Sequence, residues 1–216
     1  MVHIEVVSFD MEGTLIDNTF SQLIWETDIP ALYGQRHGLS LEDARVRVFK
    51  EYAEIGEDRP EWYDAGYWFR RFDLPGDWRQ LPEGREDDCT VYTETGEVLR
   101  KLAGEYRLII ASNTIREFLD VQLRKLPDVF EHVFSAPSDF NSMKKTKEFY
   151  GRICKIIGVE SGSVVHVGDS LRFDYEEARE LGIHAFHLDR EREFSGLGVV
   201  HDLLEFADRL KGLKSK

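Results

Sequence analysis

Short apolar segments alternate with helical stretches along most of this chain, and this alternation restricts the possible folds more than any other feature. The apolar segments lie at 4–9, 107–113, 132–136, 163–170 and 184–189. Helical patterns lie at 94–103, 115–125, 145–157, 175–181 and 202–210. This alternation is typical of a parallel sheet with helices on both faces, and uninterrupted apolar runs such as VVHV fit strands buried on both sides. We therefore predict an α/β fold with a doubly wound, Rossmann-like parallel sheet.

Residues 18–88 interrupt the alternation, because they show helical patterns and no convincing strand. Ser40 is a suitable N-cap for one helix, and Pro60 suits the first turn of another. A small helical unit needs large side chains to form a core, and all 4 tryptophans lie here, namely Trp25, Trp62, Trp68 and Trp78. We predict that residues 18–88 form a smaller all-helical domain, inserted into a main domain of residues 1–17 and 89–216, and that most of these tryptophans pack inside it.

The charge balance narrows the classes of partner. Lys and Arg number 28 and Asp and Glu number 41, which gives a formal net charge of −13. Nucleic acid binding depends on Lys and Arg that displace counterions from phosphates, so we expect neither nucleic acid nor an anionic membrane as a partner and favour divalent cations instead. The 2 cysteines, Cys89 and Cys154, are typical of reduced thiols. Since no apolar stretch reaches about 18 residues and no signal-peptide pattern is visible, we expect a cytoplasmic protein.

Three of the predicted strands end in polar residues, at 10–14 (DMEGT), 112–114 (SNT) and 168–170 (GDS). In open α/β sheets, ligands bind at the carboxyl ends of strands, near the point where the strand order reverses. Asp10, Asp169 and Asp174 would repel one another there unless a cation lay between them, and Mg²⁺ typically uses one or two carboxylates together with a substrate phosphate. A basic side chain would also reduce the repulsion among these carboxylates, and Lys144 precedes the helix that leads into the third strand end. The sequence thus predicts a magnesium site at one edge of the sheet.

These motifs together resemble the four motifs of the haloacid dehalogenase-like superfamily: DMEGT, the SNT strand end, a lysine and GDSLRFD. Each motif alone has little specificity, but four of them in order on the right elements cover the whole core. In relatives the lysine often heads a Lys-Pro-Asp-Pro run, so the resemblance implies that Lys144 enters the site. Lys145 and Lys147 occupy the two proline positions, and we expect both to face solvent.

The resemblance implies a Mg²⁺-dependent phosphatase of a small phosphorylated metabolite. Asp10 would be the nucleophile, which divides the displacement into two steps through an aspartyl-phosphate. The implied metal ligands are Asp10, the Glu12 backbone carbonyl and Asp169, while Asp174 completes the acidic set by fixing metal-bound water and Lys144.

The same resemblance implies which groups bind the remaining phosphate oxygens. These are the Ser112 hydroxyl and the backbone N–H groups near Met11 and Asn113, with Thr14 ordering the turn. His166, within VVHVG, is interpreted as a buried strand residue rather than a metal ligand.

Glu12 departs from the usual pattern, because most phosphatases of the superfamily carry aspartate there. That aspartate protonates the leaving oxygen and then activates water. Glutamate keeps a carboxyl group, with a reference pKa of about 4.3 against about 3.9, but its reach is longer, and proton transfer depends first on hydrogen-bond geometry. Enolase-phosphatases of methionine salvage carry Asp-x-Glu-Gly-Thr, which leaves a salvage-pathway phosphatase open as a more specific hypothesis.

The helical insertion follows the first motif, so the resemblance implies a cap that closes over the substrate and sets specificity. Candidate contacts to an anionic part of the substrate are Arg36, His37, Arg70 and Arg71.

Two alternatives remain at this stage. A 2-haloacid dehalogenase would use the same Asp10 without metal, although an acidic cluster that includes Glu12 would repel an incoming carboxylate. A non-enzymatic phosphoacceptor, like a response-regulator receiver, also combines Asp, Mg²⁺ and Lys in a parallel sheet. Receivers are much shorter and accept phosphate after a later strand, which disfavours this interpretation.

Overall fold

A sheet of 6 parallel strands forms the centre of the protein. The computed structural model describes residues 3–56 and 59–214. The strands are β1 Val6–Phe9, β2 Arg107–Ser112, β3 Phe130–Ser135, β4 Val164–Gly168, β5 His184–Leu188 and β6 Val199–Val200. They lie in the order β3-β2-β1-β4-β5-β6. The predicted doubly wound α/β fold is therefore confirmed, with a sixth strand that is too short to produce a sequence pattern.

Helices connect the strands and cover both faces of the sheet. In the described residues the α-helices are α1 Thr19–Leu23, α2 Ile29–His37, α3 Leu41–Ile55, α4 Ala65–Arg71, α5 Gln80–Gly84, α6 Thr95–Ala103, α7 Arg116–Leu123, α8 Ala136–Phe140, α9 Lys147–Ile157, α10 Glu177–Glu180 and α11 Leu203–Lys214. None of the helices that the structure describes combines the length and the apolar character needed to cross a membrane.

Successive side chains of a strand point to opposite faces, and β1 shows how this builds two cores. Val7 and Phe9 pack with apolar residues of α6 and α11 on one face. Val6 packs with residues of α9 and with Ala178 of α10 on the other. All three β1 residues are fully buried, which explains why the strand reads as a continuous apolar run.

The segment between β1 and α6 is helical where the structure describes it, and it contains α1 to α5. The Ser40 hydroxyl accepts a hydrogen bond from the Asp43 N–H at 3.1 Å and so caps α3, and Pro60 begins a 3₁₀ turn, Pro60–Tyr63. Trp68 is fully buried in the apolar cluster of this segment, whereas Trp25, Trp62 and Trp78 are partly buried against it. That cluster also includes Phe118 and Val121 of α7. The division of the chain into two domains stays a prediction.

The strand order positions the ends of two strands next to each other. The chain proceeds from β1 to β2 and β3 on one side, then returns to β4 beside β1 and continues to β5 and β6 on the other. The order therefore reverses between β1 and β4, where ligands bind in sheets of this kind. Asp10 follows β1 and Asp169 follows β4, so the fold brings these two carboxylates to the same place.

Candidate active site

The loop after β1 is held close to the end of β4. The Asp10 N–H donates a hydrogen bond to the Val167 carbonyl at 3.0 Å, and within the loop the Leu15 N–H donates to the Met11 carbonyl at 2.9 Å. Gly13 sits between these contacts with φ of +74°, and a Cβ at that position would overlap the Asp169 carboxylate. Glycine is required here for its left-handed backbone and also because Asp169 occupies the space of a side chain.

Asp174 is fixed by the turn that follows β4. The Ser170 N–H donates to Asp174 Oδ2 at 3.0 Å, and the Ser170 hydroxyl accepts from the Phe173 N–H at 3.2 Å. A Cβ at Gly168 would overlap the Asp174 side chain, so the last residue of β4 must be glycine for Asp174 to lie against it. Asp174 is fully buried as a result.

Asp10, Asp169 and Asp174 form a compact acidic cluster. Each offers one carboxylate oxygen, and these oxygens all lie within 4.8 Å of one another. Asp10 and Asp174 are buried, whereas Asp169 is accessible. The structure thus brings together the three aspartates that the sequence analysis expected to meet.

The lysine that balances this cluster is Lys145. Its ammonium group forms ion pairs with Asp10 Oδ1 and, at 2.5 Å, with Asp174 Oδ1, and Lys145 is 1% exposed. Lys144, the residue predicted for this role, places Nζ 5.0 Å from the ring centres of both Tyr63 and Phe173. The prediction of Lys144 in the cluster and of a solvent-facing Lys145 is therefore wrong, while Lys147 is exposed as expected.

The physical reason for this correction is where α9 begins. The predicted helix starts at residue 145, but the Thr146 hydroxyl caps the helix and α9 starts at Lys147. Lys144 and Lys145 thus lie in the non-helical segment before α9, where neighbouring side chains point in different directions. The sequence supplied no signal that distinguishes two adjacent lysines in such a segment.

Burial and mutual charge set the ionisation of the cluster. Burial raises the pKa of Asp10 well above its usual range, although the Lys145 charge opposes the shift. Burial also opposes charge on Lys145, but Asp10 and Asp174 raise the pKa of its ammonium above the ordinary value. For Asp174, burial is outweighed by Lys145 and His166, which hold its pKa below its usual range.

The pKa of Asp169 shifts in the opposite direction from that of Asp174, because burial and the Asp174 charge raise it by more than the Lys145 charge lowers it. The loss of water around its carboxylate, reinforced by the Asp174 charge, raises the pKa of Asp169 to about 6.

His166 and Tyr150 also contact Asp174, which the sequence analysis did not foresee. His166 Nε2 lies 2.9 Å from Asp174 Oδ1, and its Nδ1 lies 2.8 Å from the Ser8 hydroxyl. The Tyr150 hydroxyl lies 3.1 Å from His166 Nε2. His166 is fully buried, as predicted, and burial lowers its pKa. Because both Asp174 oxygens have protein partners, this carboxylate is suited to hold its neighbours in position.

Glu12 turns its carboxylate towards the junction of the sheet and the helical segment. Oε1 accepts hydrogen bonds from the Ser21 hydroxyl of α1 and the Gln122 amide of α7, and Oε2 accepts from the Thr114 hydroxyl at 3.3 Å. Burial raises the pKa of Glu12, and these three donors oppose that shift. Ser21 and Gln122 come from distant parts of the chain, so no local motif could have identified them as its partners.

The three predicted phosphate-binding residues lie at the inner ends of the β1 and β2 loops. Ser112 is 1% exposed and its hydroxyl accepts from the Thr114 N–H at 3.1 Å. The Asn113 Oδ1 atom and the Thr14 hydroxyl are buried without a hydrogen-bond partner among the described residues. Their roles in phosphate binding stay predictions.

The cluster has the chemistry of a site for a hard divalent cation. Its donors are carboxylate oxygens, which Mg²⁺ prefers. Both oxygens of Asp174 already bind Lys145, His166 or the Ser170 N–H, so Asp10 and Asp169 are the better candidates for metal ligands. Gly13 and Gly168 leave no room for side chains beside these carboxylates. A cation among them would offset the negative charge that remains after the single ammonium of Lys145.

Comparisons with known proteins agree with this geometry. A family model described as haloacid dehalogenase-like hydrolase matches residues 4–182. The curated GMP/IMP nucleotidase YrfG of Escherichia coli is 22% identical over 180 residues, which cover 77% of this chain and 75% of that protein. The crystal structure of a HAD phosphatase from Thermococcus onnurineus superposes with a TM-score of 0.82 at 26% identity, covering 97% of this chain and 99% of the other.

A 2-haloacid dehalogenase from Pseudomonas syringae also superposes on the chain. It has a TM-score of 0.72 at 18% identity and covers 97% of this chain and 99% of that one. This likeness reflects the shared fold.

Proposed function

Because this chain belongs to the haloacid dehalogenase-like hydrolases, we propose that this hydrolase is a Mg²⁺-dependent phosphatase of a small phosphorylated metabolite. The observation that carries the proposal is the compact cluster of Asp10, Asp169 and Asp174, in which Lys145 forms ion pairs with Asp10 and Asp174. The nucleotidase and phosphatase relatives support the choice of a phosphate monoester as substrate.

In the first step a carboxylate oxygen of Asp10 attacks phosphorus and forms the aspartyl-phosphate, while the bond from phosphorus to the ester oxygen breaks. Glu12 donates a proton to the departing oxygen. Its raised pKa favours the protonated form that a general acid requires, and its Oε2 has fewer hydrogen-bond partners than Oε1.

In the second step water attacks phosphorus, Glu12 takes a proton from that water, and the bond to Asp10 breaks. Phosphate leaves and the Asp10 carboxylate is restored. Lys145 balances charge at Asp10 in both steps and keeps its carboxylate oriented, while Asp174 holds Lys145 through their 2.5 Å ion pair.

Mg²⁺, when bound, neutralises charge on the phosphoryl oxygens. Asp10, Asp169 and the Glu12 backbone carbonyl are the groups that would hold it. Asp174 acts through its neighbours, since its oxygens already bind Lys145, His166 and the Ser170 N–H.

Residues 18–88 would act as a cap that covers this site. Support comes from Ser21 of α1, which hydrogen-bonds Glu12 directly, and from the contact of Lys144 with Tyr63. Arg36 and Arg71, two of the expected substrate contacts, form ion pairs with Asp73 and Glu51 of the same segment, which favours a structural role for both.

The dehalogenase alternative is disfavoured by charge. A 2-halo acid would bring its own carboxylate to three aspartates whose charge Lys145 offsets only in part, and like charges at such distances raise the energy of the ionised forms. Halide release from 2-chloropropionate by metal-free protein would favour that alternative over the phosphatase.

The direct test measures phosphate release from a panel of phosphorylated metabolites with and without Mg²⁺. We expect turnover that Asp10→Asn lowers by about 10⁴-fold or more, and a matched Asp120→Asn change at an exposed site of α7 should leave it unchanged. Substantial phosphate release by Asp10→Asn would remove Asp10 as the nucleophile and with it the proposal.

A further inference from the structure

A cavity walled by aromatic rings lies directly beside Glu12. Its volume is about 240 Å³, and the residues that define its walls include Glu12, Trp25, Tyr52, Trp62, Tyr63 and Phe118. An apolar cavity of about 150 Å³ can hold a benzene molecule. This space is therefore large enough for one six-membered ring and the atoms that link it to an ester oxygen.

The rings come from separate elements and stand at steep angles to one another. Trp25 lies 6.1 Å from Tyr52 with an interplanar angle of 81°, and Trp62 lies 5.9 Å from Tyr52 at 60°. Phe118, from α7, lies 5.9 Å from Trp25. Edges and faces are thus both presented to the cavity, which is the arrangement that aromatic pairs prefer.

These aromatic residues do more than fill the core of the helical segment. Trp68 is fully buried and Phe72 is 5% exposed, so both serve that core. Trp25, Trp62 and Tyr63 keep part of their surface accessible and border the cavity instead. Large aromatic side chains that remain partly accessible around a concave site are typical of ligand-binding walls.

Two of the polar side chains that line the cavity, Ser21 and Thr114, already hydrogen-bond to Glu12. The Ser21 and Thr114 hydroxyl groups both donate to the Glu12 carboxylate, and the Tyr52 hydroxyl donates to the Trp25 carbonyl at 3.3 Å. Asn113 also lines the cavity, and its Oδ1 atom is buried without a hydrogen-bond partner among the described residues. A sugar carries several hydroxyl groups, and those that this acceptor does not reach would lose hydrogen bonds to water, which is unfavourable.

From this arrangement we propose that the preferred substrate is a phosphate monoester whose leaving group carries a planar aromatic ring within one or two bonds of the ester oxygen. The inference rests on the proposed function, in which Glu12 protonates that oxygen. The group bonded to the oxygen then enters the space beside Glu12, where Trp25, Trp62 and Phe118 surround it. A nucleotide would instead place its ribose there.

The first experiment compares benzyl phosphate with cyclohexylmethyl phosphate, because their leaving alcohols are similar in size and acidity and differ in planarity. We expect kcat/KM to be about fivefold to tenfold higher for benzyl phosphate, and higher still relative to glucose 6-phosphate and GMP. Equal values for the first pair, or the highest kcat/KM for the sugar phosphate or the nucleotide, would overturn the inference.

The second experiment tests the walls of the cavity. Trp62→Leu should raise KM for benzyl phosphate about tenfold and should raise KM for ethyl phosphate by less, since the smaller ethyl group contacts less of the ring surface. Trp78→Leu is the matched control, because Trp78 is also partly buried but borders a different cavity. An equal effect of both substitutions on benzyl phosphate would count against the aromatic wall.

Binding of benzylphosphonate, which cannot be hydrolysed, separates this inference from the proposed function. Calorimetry with Mg²⁺ present should show that Trp62→Leu weakens its affinity about tenfold while Trp78→Leu does not. If no phosphate ester is turned over but this binding pattern holds, the proposed function fails and the aromatic site stands. If esters are turned over and benzylphosphonate binds both variants equally, the aromatic site fails and the phosphatase stands.

Discussion

Replacement of Lys145 by methionine tests the centre of the acidic cluster, because Met keeps the length of the side chain and removes the charge. Lys145 is 1% exposed, and its two partners, Asp10 and Asp174, are 5% and 0% exposed. Removing one member of a buried ion pair costs about 3–5 kcal/mol of unfolding free energy. In a chain of this size each kcal/mol shifts the unfolding midpoint by about 2–4 °C. We therefore expect Lys145→Met to lower the midpoint by about 6–20 °C in EDTA.

Mg²⁺ should restore part of that loss, because a divalent cation also neutralises the aspartates that Lys145→Met leaves without a counter-charge. Turnover should still fall by about 10²–10³-fold, the usual effect of removing one group that stabilises charge in a transition state. Calorimetry with and without Mg²⁺, together with phosphate release, measures both effects.

Lys144→Met is the matched control, since it removes the adjacent ammonium, whose Nζ atom lies 5.0 Å from the ring centres of Tyr63 and Phe173. The Lys144 side chain is more accessible than that of Lys145, and its cation–π contacts contribute about 0.5–2 kcal/mol, so the midpoint should fall by less than in Lys145→Met. A larger loss of stability and activity in Lys144→Met than in Lys145→Met would refute the assignment of Lys145.

Three further predictions concern the same site. Gln122→Leu removes a donor to Glu12 Oε1, so kcat should fall about 10- to 100-fold for alkyl phosphates with KM nearly constant; a kcat equal to that of the unaltered protein would contradict a role through Glu12. Gly13→Ala should abolish Mg²⁺ binding in calorimetry because its Cβ would overlap Asp169, whereas Gly38→Ala, with a similar φ of +66° and open space around it, should cost only about 1–3 kcal/mol of stability. EDTA should stop phosphate release and lower the unfolding midpoint, and saturating Mg²⁺ should restore both, with about 2.7 kcal/mol of stabilisation at 100 times Kd; activity that survives EDTA would argue against the metal site.

The sequence was sufficient to predict the sheet and the meeting of its acidic residues. Asp10 and Asp169 follow uninterrupted apolar strands, β1 and β4, and parallel strands bring their carboxyl ends to one edge. The alternation of apolar strands and helices predicts parallel strands, whereas the order that places β1 beside β4 is known only from the structure. The sequence analysis did not predict β6, because a strand of two residues is too short to show an alternating pattern of apolar and polar side chains.

The lysine and the partners of Glu12 depend on features that patterning does not contain. The choice between Lys144 and Lys145 depends on where Thr146 begins α9, and neither side chain has an apolar signature. Gln122 is fully buried on α7, but a buried glutamine in a helix gives no indication of a carboxylate that lies 110 residues away in the sequence. Side-chain contacts of this kind become visible only when the packing of α7 against the first loop is known.

The position of α7 has a consequence for the design of chimeric enzymes. One helix supplies Leu119 to the core around the sheet, Phe118 to the aromatic cluster of the helical segment, and Gln122 to Glu12. The predicted helical domain, residues 18–88, thus shares its apolar cluster with α7, so an exchange of that segment alone between homologues would leave part of its packing surface behind. A chimera made to alter selectivity would have to include the α7 residues from the same donor protein. Otherwise the transplanted helices would pack against side chains of the wrong size and shape.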